Sequence, residues 1–508
     1  MTTGQQDETI AFLSNAASYG FPGALVERIE THCSIVFLVD DRAYKLKRAI
    51  AFSALDYGTV ERREAACRAE LALNRRTAPE IYLGVQAIRR LPRGDLAFAE
   101  DGPIVDWVVI MRRFDQGDLF DHLAEQKHLT PELIRALADE IAAFHEAAEG
   151  TPAFGGADGL RDAIEHNRRD HLTVAPILGH AGIEALRTAS LAALARTADL
   201  LDRRRGEGKI RRCHGDLRLA NICLFDDRPT LFDAVEFSDR VSCIDILFDL
   251  AFLLMDLHQR GLDVLANILL NRYLDVTGGT EGLAALPLML SVRAATRTYA
   301  LAGAAQRHAR KNEAQYYAAA ARSHLALASS LLKPAPPRLI AIGGVEGSAK
   351  TSIAHELAAT YQPVPGARVL RSATAFRDVL RLSSHARLPA TDDDATAETA
   401  HRRLASDAEQ ALRAGFTAIV DTSFVRRAHR QAIAAVASTA AVPFVGLWLG
   451  SSHDLQGDEG SGAAEWHAVK PGPTLAAMLA AARALVHADA VPKRRARSLR
   501  DHSHKGSS

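Results

Sequence analysis

The sequence has few cysteines, few aromatic residues and no excess charge of either sign. Its five cysteines form no CxxC pair and no cluster with histidine, which is the pattern of reduced, buried thiols. Lysine plus arginine and aspartate plus glutamate number 61 each, so the balance argues against nucleic acid as the main partner. We therefore expect a cytoplasmic protein with no nucleic-acid partner.

Long apolar runs are also missing. The first residues show no basic start followed by an apolar stretch, so no secretory signal is expected. The strongest apolar segment, residues 247–257, is too short to cross a bilayer and contains Asp249 and Asp256. We expect it to be a core helix, and we expect no membrane partner.

A proline-rich stretch divides the chain, whose 508 residues exceed what one hydrophobic core normally supports. The segment KPAPPR is stiff and extended, because proline fixes φ and restricts the residue before it. We predict four regions in chain order: a first domain over residues 1–332, a linker over 333–338, a second domain over 339–492 and a basic, disordered tail over 493–508.

In the first domain, short strand patterns precede a long helical pattern. We expect strands and one charged helix at residues 34–39, 43–47, 59–77 (the helix), 81–88 and 106–114. After residue 117 the pattern is helical, apart from short strand-like runs within residues 211–237. A small β-rich lobe followed by a large helical lobe predicts an α+β, two-lobed protein-kinase-like fold.

The sharpest motif is CHGDLRLAN at residues 213–221, followed by LFDAVEF at residues 231–237. Phosphoryl transfer needs a carboxylate that accepts the proton of the attacking hydroxyl, and Asp216 is the candidate. It also needs oxygen ligands that hold Mg²⁺ against the phosphates, and Asn221 and Asp233 are the candidates. The flanking strands are expected to bring both ligands to one face.

These residues resemble the aminoglycoside phosphotransferase and choline-kinase family, which has HGD where protein kinases have HRD. The resemblance covers most of residues 30–260. It implies that His214 supports the loop and is not a base. It also implies that Asp245 and Asp249, at the following helix, stabilise the loop.

A lysine is expected to bind the α and β phosphates of ATP, oriented by a helix carboxylate. Lys45 is preferred, because Ala43 two residues earlier is small enough to lie under an adenine, and Lys47 is the alternative on the same strand face. Glu70 is the preferred carboxylate, with Glu64 expected to be a solvated helix charge.

The chain has no GxGxxG motif to cover the phosphates. The hairpin around residues 32–34, which includes Ser34, is expected to do so, as in aminoglycoside kinases. Residues 107–113, which include Met111, form the expected hinge, whose backbone would hydrogen-bond the adenine. The alternative is that this apolar run is an ordinary buried strand.

The second domain begins with a strand, a glycine-rich loop and a helix. Gly344, Gly347, Lys350 and Thr351 fit the phosphate-binding pattern GxxxxGK[ST], which predicts an α/β P-loop NTPase-like domain with a parallel sheet. Asp421 ends a later apolar strand and is a candidate to assist Mg²⁺.

This domain resembles small P-loop kinases of the gluconate-kinase and zeta-toxin type, and the whole chain resembles bacterial fusions of the two domains. Ala349 departs from the glycine of the motif, and Ala373 stands where the family has an aspartate. The arginine-rich lid expected near residues 455–480 is replaced by a glycine- and serine-rich loop, part of a flexible stretch over residues 450–462.

Together these features predict an ATP- and Mg²⁺-dependent phosphotransferase that acts on a hydroxyl of a small molecule through its first domain. The second domain is expected to bind nucleotide weakly or not at all. The alternative is a nucleotide-binding regulatory or scaffold protein without catalysis.

Overall fold

The computed structural model describes residues 6–31, 33–52, 55–307, 310–344, 349–382, 386–388, 394–450, 466–470, 472 and 474–488. The chain forms two compact units. The first takes in the chain up to Ala335 and two short later segments, Tyr361–Ala367 and Ala414–Phe416, and the second takes in the remainder. The proline-rich stretch thus contains the main boundary between the units.

The first unit begins with a β-rich lobe. Its elements in chain order are α1 (Asp7–Leu13), β1 (Glu27–Glu30), β2 (Ser34–Val39), β3 (Arg42–Lys47), β4 (Ala51–Phe52), β5 (Leu55–Asp56), α2 (Val60–Asn74), β6 (Tyr82–Arg90), β7 (Leu96–Ala97) and β8 (Ile104–Arg112). Six strands form one sheet in the order β1-β2-β3-β8-β6-β7, and the neighbours pair antiparallel.

Helix α2 packs one polar face into this lobe. Thr59 caps its N-terminus by accepting a hydrogen bond from the Arg62 amide, which supplies one of the acceptors that a helix start needs. The buried side chains recur every three or four residues, at Arg63, Cys67, Glu70 and Asn74. The helix therefore points two charged side chains and an amide inward.

The helical lobe follows. Its elements are α3 (Phe120–Glu125), α4 (Pro131–Ala147), α5 (Gly156–Thr173), α6 (Ala175–Leu178), α7 (His180–Gly206), β9 (Ile210–Arg212), β10 (Ile222–Phe225), β11 (Arg228–Leu231), α8 (Asp239–Ser242), β12 (Cys243–Asp245), α9 (Ile246–Gln259), α10 (Asp263–Thr277), α11 (Leu286–Arg307) and α12 (Lys311–Leu331). Strands β10 and β11 form a hairpin, and β12 pairs with β9.

Helix α9 is the core helix expected from the apolar run, and it is buried along almost its whole length. Asp245 caps its N-terminus by accepting a hydrogen bond from the Leu247 amide at 2.8 Å. The same carboxylate forms two 2.8 Å bonds with the buried Arg204 of α7. A buried charge pair with this geometry ties α9 to α7.

The second unit contains a parallel sheet flanked by helices. Its elements are β13 (Leu339–Gly344), α13 (Lys350–Ala358), β14 (Arg368–Arg371), α14 (Ser372–Val379), α15 (Asp394–Arg413), β15 (Ala418–Asp421), α16 (Arg427–Thr439), β16 (Phe444–Leu449), β17 (Trp466–Val469) and α17 (Leu475–Ala488). The strand order is β14-β15-β13-β16-β17, and every neighbouring pair is parallel.

Both predicted fold classes are confirmed: a two-lobed kinase-like unit followed by a P-loop-like unit with a parallel sheet. Four of the five cysteines are buried, and none forms a disulfide. In the described part of the chain, no helix is long and apolar enough to cross a membrane. The predicted tail and most of the glycine- and serine-rich loop lie outside the described residues.

Candidate active site

The HGD loop lies between β9 and β10, and its glycine has a conformation that side chains disfavour. Gly215 has φ of +83°, and a Cβ at this position would lie 3.2 Å from both the Val235 Cβ and the Val241 carbonyl. Its amide donates to Asp249 Oδ1 at 2.9 Å. Glycine therefore lets the backbone turn tightly before Asp216.

Asp249, on α9, accepts hydrogen bonds from two consecutive loop amides. The His214 amide donates to Oδ2 at 3.0 Å beside the Gly215 bond to Oδ1, and His145 Nε2 also lies 3.2 Å from Oδ2. Burial opposes ionisation of this carboxyl, but the bond from His145 and the charges of His145, His214 and Arg293 lower its pKa to about 2. The contacts have the geometry that the predicted supporting role of Asp249 requires.

Two further contacts involve this loop. His214 Nε2 lies 2.9 Å from the Phe232 carbonyl, so the imidazole links the loop to the segment that carries Asp233. Arg293 of α11 donates to the Gly215 carbonyl at 3.4 Å and to the Phe248 carbonyl at 3.0 Å. Asp245, by contrast, was expected to support the loop, but its described hydrogen bonds go to α7 and to its own helix.

Asp216 is held by two side chains of its own loop. Arg218 donates to both carboxylate oxygens at 2.8 Å, through Nε and Nη2. Asn221 Nδ2 donates to Asp216 Oδ2 at 2.9 Å and to the Asp216 carbonyl at 2.8 Å. Burial raises the pKa of Asp216, but Arg218 and the Asn221 bond outweigh it, and the pKa lies below its ordinary value. Asp216 is therefore ionised at neutral pH.

Asn221 and Asp233 lie at one end of the β10–β11 hairpin. The ladder begins with Ile222 opposite Leu231, and the Phe232 amide donates to the Asn221 carbonyl at 3.0 Å. The next residue, Asp233, has a left-handed backbone with φ of +63°. The hairpin thus brings the backbones of the two predicted metal ligands next to each other in space.

The backbone around Asp233 is fixed from the β-rich lobe. The Ala234 amide donates to Asn74 Oδ1 at 2.8 Å, and the Asp233 amide donates to the Tyr82 hydroxyl at 3.2 Å. Asn74 lies one turn after Glu70 on α2, so one helix contacts both the lysine cluster and the Asp233 segment. The two lobes are joined at the candidate site.

Glu70 contacts both candidate lysines. Lys45 Nζ lies 2.7 Å from Glu70 Oε1 and 2.5 Å from Asp233 Oδ1. Lys47 pairs with the other Glu70 oxygen and with Glu236. Glu64 instead pairs with Arg68 on the surface, as expected of a solvated helix charge. Of the two lysines, Lys45 is the one beside the candidate metal ligand.

Burial disfavours the charge on both lysines, but the carboxylates around them prevail. Asp233 and Glu70 raise the pKa of Lys45 well above its usual value, and Glu70 and Glu236 raise that of Lys47. Both are therefore ammonium ions at neutral pH. Glu236 also accepts a hydrogen bond from the Tyr57 hydroxyl at 2.5 Å.

The charge and donor types of this cluster fit Mg²⁺. Three carboxylates, those of Glu70, Asp233 and Glu236, face two ammonium groups, which leaves an excess of one negative charge. The Asp233 side chain is the most exposed of these groups, at 44%. Asn221 uses its amide nitrogen to bond Asp216, which leaves its amide oxygen as the acceptor end. Carboxylate and amide oxygens are ligands that Mg²⁺ accepts.

Ser34 and Met111 lie on strands that flank Lys45. Ser34 is buried opposite Lys47 at the start of β2, and β1 and β2 pair antiparallel. Coverage of the phosphates by this hairpin stays a prediction. His32 lies outside the described residues. Met111 lies inside the sheet, between Ala43 on β3 and Tyr82 on β6.

The expected hinge, residues 107–113, is therefore mostly a central strand. Its backbone groups pair with β3 and β6 through Arg112, and the Arg113 amide donates to the Asp41 carbonyl. A backbone contact with an adenine would therefore have to come from residues after Arg113. A side-chain contact of Met111 with the base stays a prediction.

Sequence reasoning missed four residues of this site. Arg218 and Glu236 lie within the two motif segments but had no assigned role, whereas Asn74 and Tyr57 lie outside them. Arg218 had a detectable signal, because a cation two residues after a catalytic carboxylate lies within reach of it. The other three come together with the cluster only through the fold.

The second unit contains the predicted P-loop elements. Strand β13 ends at Gly344 and α13 begins at Lys350, while Gly347 lies outside the described residues. A Cβ on Gly344 would lie 2.5 Å from the Leu449 carbonyl of β16, so glycine is required there for strand packing. Lys350 Nζ donates to the Gly344 carbonyl at 3.0 Å.

Two residues expected to assist Mg²⁺ in this unit are in contact. Thr351 Oγ1 donates to Asp421 Oδ2 at 2.6 Å, and Asp421 is buried at the end of β15. Ala349 has φ of −72° and ψ of 23°, which alanine adopts without strain. The backbone conformation at this position therefore does not require glycine. If Ala349 weakens nucleotide binding, it does so because its Cβ obstructs the approach of a phosphate.

Comparison with known proteins finds a family model that matches each part of the chain. Residues 41–286 match the model of the phosphotransferase enzyme family, and residues 339–458 match the model of an AAA domain. The chain is thus similar to the phosphotransferase enzyme family over its first part and to an AAA domain over its second, which confirms the predicted resemblance.

Relatives in two mycobacteria share part of this sequence. An uncharacterized protein of Mycobacterium tuberculosis and one of Mycobacterium bovis are each 30% identical over 340 residues. The alignment covers 65% of this chain and 64% of each relative, so it spans slightly less than two thirds of the relatives' own length.

Several solved kinase structures show low overall similarity. A choline/ethanolamine kinase family protein from Mesorhizobium loti has a TM-score of 0.40 at 15% identity and covers 65% of this chain and 95% of its own. A putative aminoglycoside phosphotransferase from Ralstonia eutropha has a TM-score of 0.39 at 15% identity and covers 64% and 98%. The family match, and not these values, carries the fold assignment.

The two lysines are expected to respond differently to substitution. Lys45→Met should weaken binding of Mg²⁺ with AMP-PNP to the first unit by roughly 10- to 100-fold, because a charged hydrogen bond is lost. Lys47→Met should instead destabilise the fold by about 3–5 kcal/mol, because it leaves Glu236 and one oxygen of Glu70 buried without a cation. Calorimetric titration and urea denaturation measure the two effects. The assignment fails if Lys47→Met is the variant that loses nucleotide affinity at unchanged stability.

Asp249 gives a prediction about acid stability. Its pKa is lower in the folded protein, so its contribution is complete above the unfolded value of about 4 and is lost as pH falls towards 2. The contribution amounts to about 2 kcal/mol. In urea denaturation between pH 5 and 2, Asp249→Asn should lose less stability than the parent protein over this interval. The prediction would be contradicted if the free energy of unfolding fell equally with pH in the parent and in Asp249→Asn.

Proposed function

We propose that the first unit transfers the γ-phosphate of ATP, with Mg²⁺, to a hydroxyl group of a small molecule. The observation that carries the proposal is the grouping of Asp216, Asn221 and Asp233 beside the Lys45–Glu70 pair. These are the groups that phosphoryl transfer requires, and they lie in the part of the chain that matches the phosphotransferase enzyme family.

In this proposal Asp216 receives the acceptor hydroxyl as a hydrogen-bond donor. Arg218 and Asn221 fix the direction of the carboxylate, so the hydroxyl oxygen is aimed before the reaction begins. Because the pKa of Asp216 is low, the carboxylate is available at neutral pH and takes the proton as the new oxygen–phosphorus bond forms.

Lys45 and the metal ligands act on the nucleotide. Lys45, held by Glu70, would donate to the phosphates, and Asn221 and Asp233 would hold Mg²⁺. The metal supplies positive charge that the transferred phosphoryl group needs. Amicoumacin kinase, a structure of low similarity, is described in complex with AMP-PNP and Ca²⁺, which agrees with nucleotide and divalent-metal use in this fold.

The second unit has a less complete site. Lys350, Thr351 and Asp421 provide a cation, a hydroxyl and a carboxylate at one end of the sheet, while Ala349 and Ala373 replace residues of the related kinases. We propose that this unit binds nucleotide weakly or not at all. A cytoplasmic location also remains part of the proposal.

The catalytic role of Asp216 is tested with a conservative substitution. Asp216→Asn keeps the shape of the side chain but cannot accept the proton, so transfer should fall by about 10²–10⁴-fold while ATP binding stays largely intact. Labelled ATP and a library of hydroxyl compounds, with and without a chelator, measure the transfer. Calorimetry measures binding. Equal transfer by Asp216→Asn would remove this residue from its role.

A complete lack of transfer by the parent protein, with normal Mg²⁺-dependent ATP binding, would favour the alternative of a nucleotide-binding regulator. This result can be told apart from a wrong assignment of Asp216, because it is measured on the parent protein alone.

The second unit is tested with Ala349→Gly in a chain that also carries Lys45→Met, so that the first site is weakened. Removing the Cβ should let the loop amides come closer to a phosphate, and ATP affinity should rise by up to about tenfold, or about 1.4 kcal/mol. Transfer by this unit should not appear, because Ala373 is unchanged. Tight binding before the substitution would show that alanine is tolerated at this position.

A further inference from the structure

Helix α11 carries two arginines on the side that faces the HGD loop. Arg293 bonds the Gly215 carbonyl, and Arg297 follows one helical turn later. Arg297 is partly buried, and its charged neighbours include Arg218 and Asp216 of the loop. The helix therefore places a second guanidinium one turn away from the contact between Arg293 and the HGD loop.

Helix α9 completes the walls of this region. The Arg218 guanidinium lies 5.6 Å from the ring centre of Phe252, and the Arg293 guanidinium lies 4.9 Å from the same ring. One turn after Phe252, Asp256 accepts from the Leu219 amide at 3.1 Å, and Arg260 Nε lies 3.4 Å from Asp256. The loop, α9 and α11 thus surround one charged region.

Most charges in this region have an opposite partner. Arg218 pairs with Asp216, and Arg260 pairs with Asp256. Arg297 differs, because no carboxylate of the described residues lies within 4.0 Å of its guanidinium. Burial and the charge of Arg218 lower the pKa of Arg297, although Asp216 and Asp256 oppose this effect. The region is short of one negative charge.

Arg297 belongs to α11 of the helical lobe, whereas Lys45 and Glu70 belong to β3 and α2 of the β-rich lobe. The charges around Lys45 include Asp233 and Glu70, whereas those around Arg297 are Arg218, Asp216, Asp256 and Arg260. A group bound at Arg297 would accordingly belong to the molecule that presents its hydroxyl to Asp216. Arg218 uses Nε and Nη2 for Asp216, which leaves the Nη1 donors for the same group.

We propose that the phosphate acceptor is an anionic alcohol, a small hydroxyl compound that also carries a phosphate or carboxylate, and that Arg297 binds this anionic group. The inference rests on the proposed function of the first unit. Guanidinium donors match the oxygens of phosphate and carboxylate, and a partly buried arginine holds them more strongly than an exposed one. A polycationic acceptor would instead bring its charge against two arginines.

Anion binding can be tested before the acceptor has been identified. The full-length protein is saturated with Mg²⁺ and AMP-PNP, so that the triphosphate positions are filled, and inorganic phosphate or acetate is then titrated while the melting temperature is measured. At least one anion should raise the melting temperature of the parent protein, and Arg297→Gln should need roughly 10- to 100-fold more of it. The two titrations distinguish a phosphate from a carboxylate preference.

Two variants serve as controls. Arg228→Gln makes the same change at an arginine that is 72% exposed, and it should respond to the anion like the parent. Arg297→Lys keeps the charge and should restore part of the response. Equal responses of parent and Arg297→Gln, or no response of the parent to either anion, would overturn the proposal.

An acceptor panel separates this inference from the proposed function. Glucose, gluconate, glucose 6-phosphate and glucosamine share a carbon skeleton and differ in charge, and a library of such sets is incubated with labelled ATP. Turnover should be confined to anionic members, and Arg297→Gln should raise their KM more than it lowers kcat. Turnover of neutral or cationic members, unaffected by Arg297→Gln, would overturn the inference but leave the phosphotransferase proposal intact. Anion binding that depends on Arg297, without turnover of any compound, would overturn the phosphotransferase proposal and the acceptor role with it, and would leave only an anion-binding site at Arg297.

Discussion

The candidate site depends on one buried carboxylate. Asp249 is fully enclosed by protein, so its charge requires hydrogen-bond donors, and the amides of His214 and Gly215 supply two of them. These bonds hold the loop in the turn that only glycine accommodates at position 215. The direction in which Asp216 leaves the backbone follows from that turn. A motif of three residues thus obtains its geometry from a helix that comes thirty residues later.

A second constraint is the balance of charge around Asp216. On one side, Glu70, Asp233 and Glu236 outnumber two lysines, which suits the approach of a divalent metal ion. In the helical lobe, Arg218 is paired with Asp216, and Arg297 has no carboxylate partner among the described residues, which suits an acceptor with an anionic group. Since buried charges are costly unless they are compensated, each excess indicates the sign of the missing ligand. In the proposed reaction the nucleotide with its metal ion would contact the groups of the β-rich lobe, and the acceptor would contact those of α11.

The two units preserve their phosphate-binding elements to different degrees. In the first unit every predicted catalytic group lies in a network of hydrogen bonds that extends across both lobes, from Asn74 on α2 to Asp249 on α9. In the second unit the Thr351–Asp421 contact remains, and Ala349 has an unstrained backbone. Ala349 would therefore affect nucleotide binding only through the space that its Cβ occupies near a phosphate. Its effect concerns the binding of the nucleotide and not the fold of the second unit.

Local sequence determined the order of the elements, the two fold classes and the motifs that contain Asp216, Asn221, Asp233 and Lys350, because periodicity and short spacing are encoded within a few residues. It also favoured Glu70 over Glu64, although the inward face of α2 is too polar for hydrophobic periodicity to reveal. Only the tertiary structure decided that Lys47 pairs with Glu236, that Asp245 anchors α9 to α7, that the strand over residues 107–112 lies between β3 and β6, and that Arg297 has no carboxylate partner among the described residues. Charge pairing and strand pairing join residues distant in the chain, and their outcome depends on which groups the completed fold brings within reach of one another.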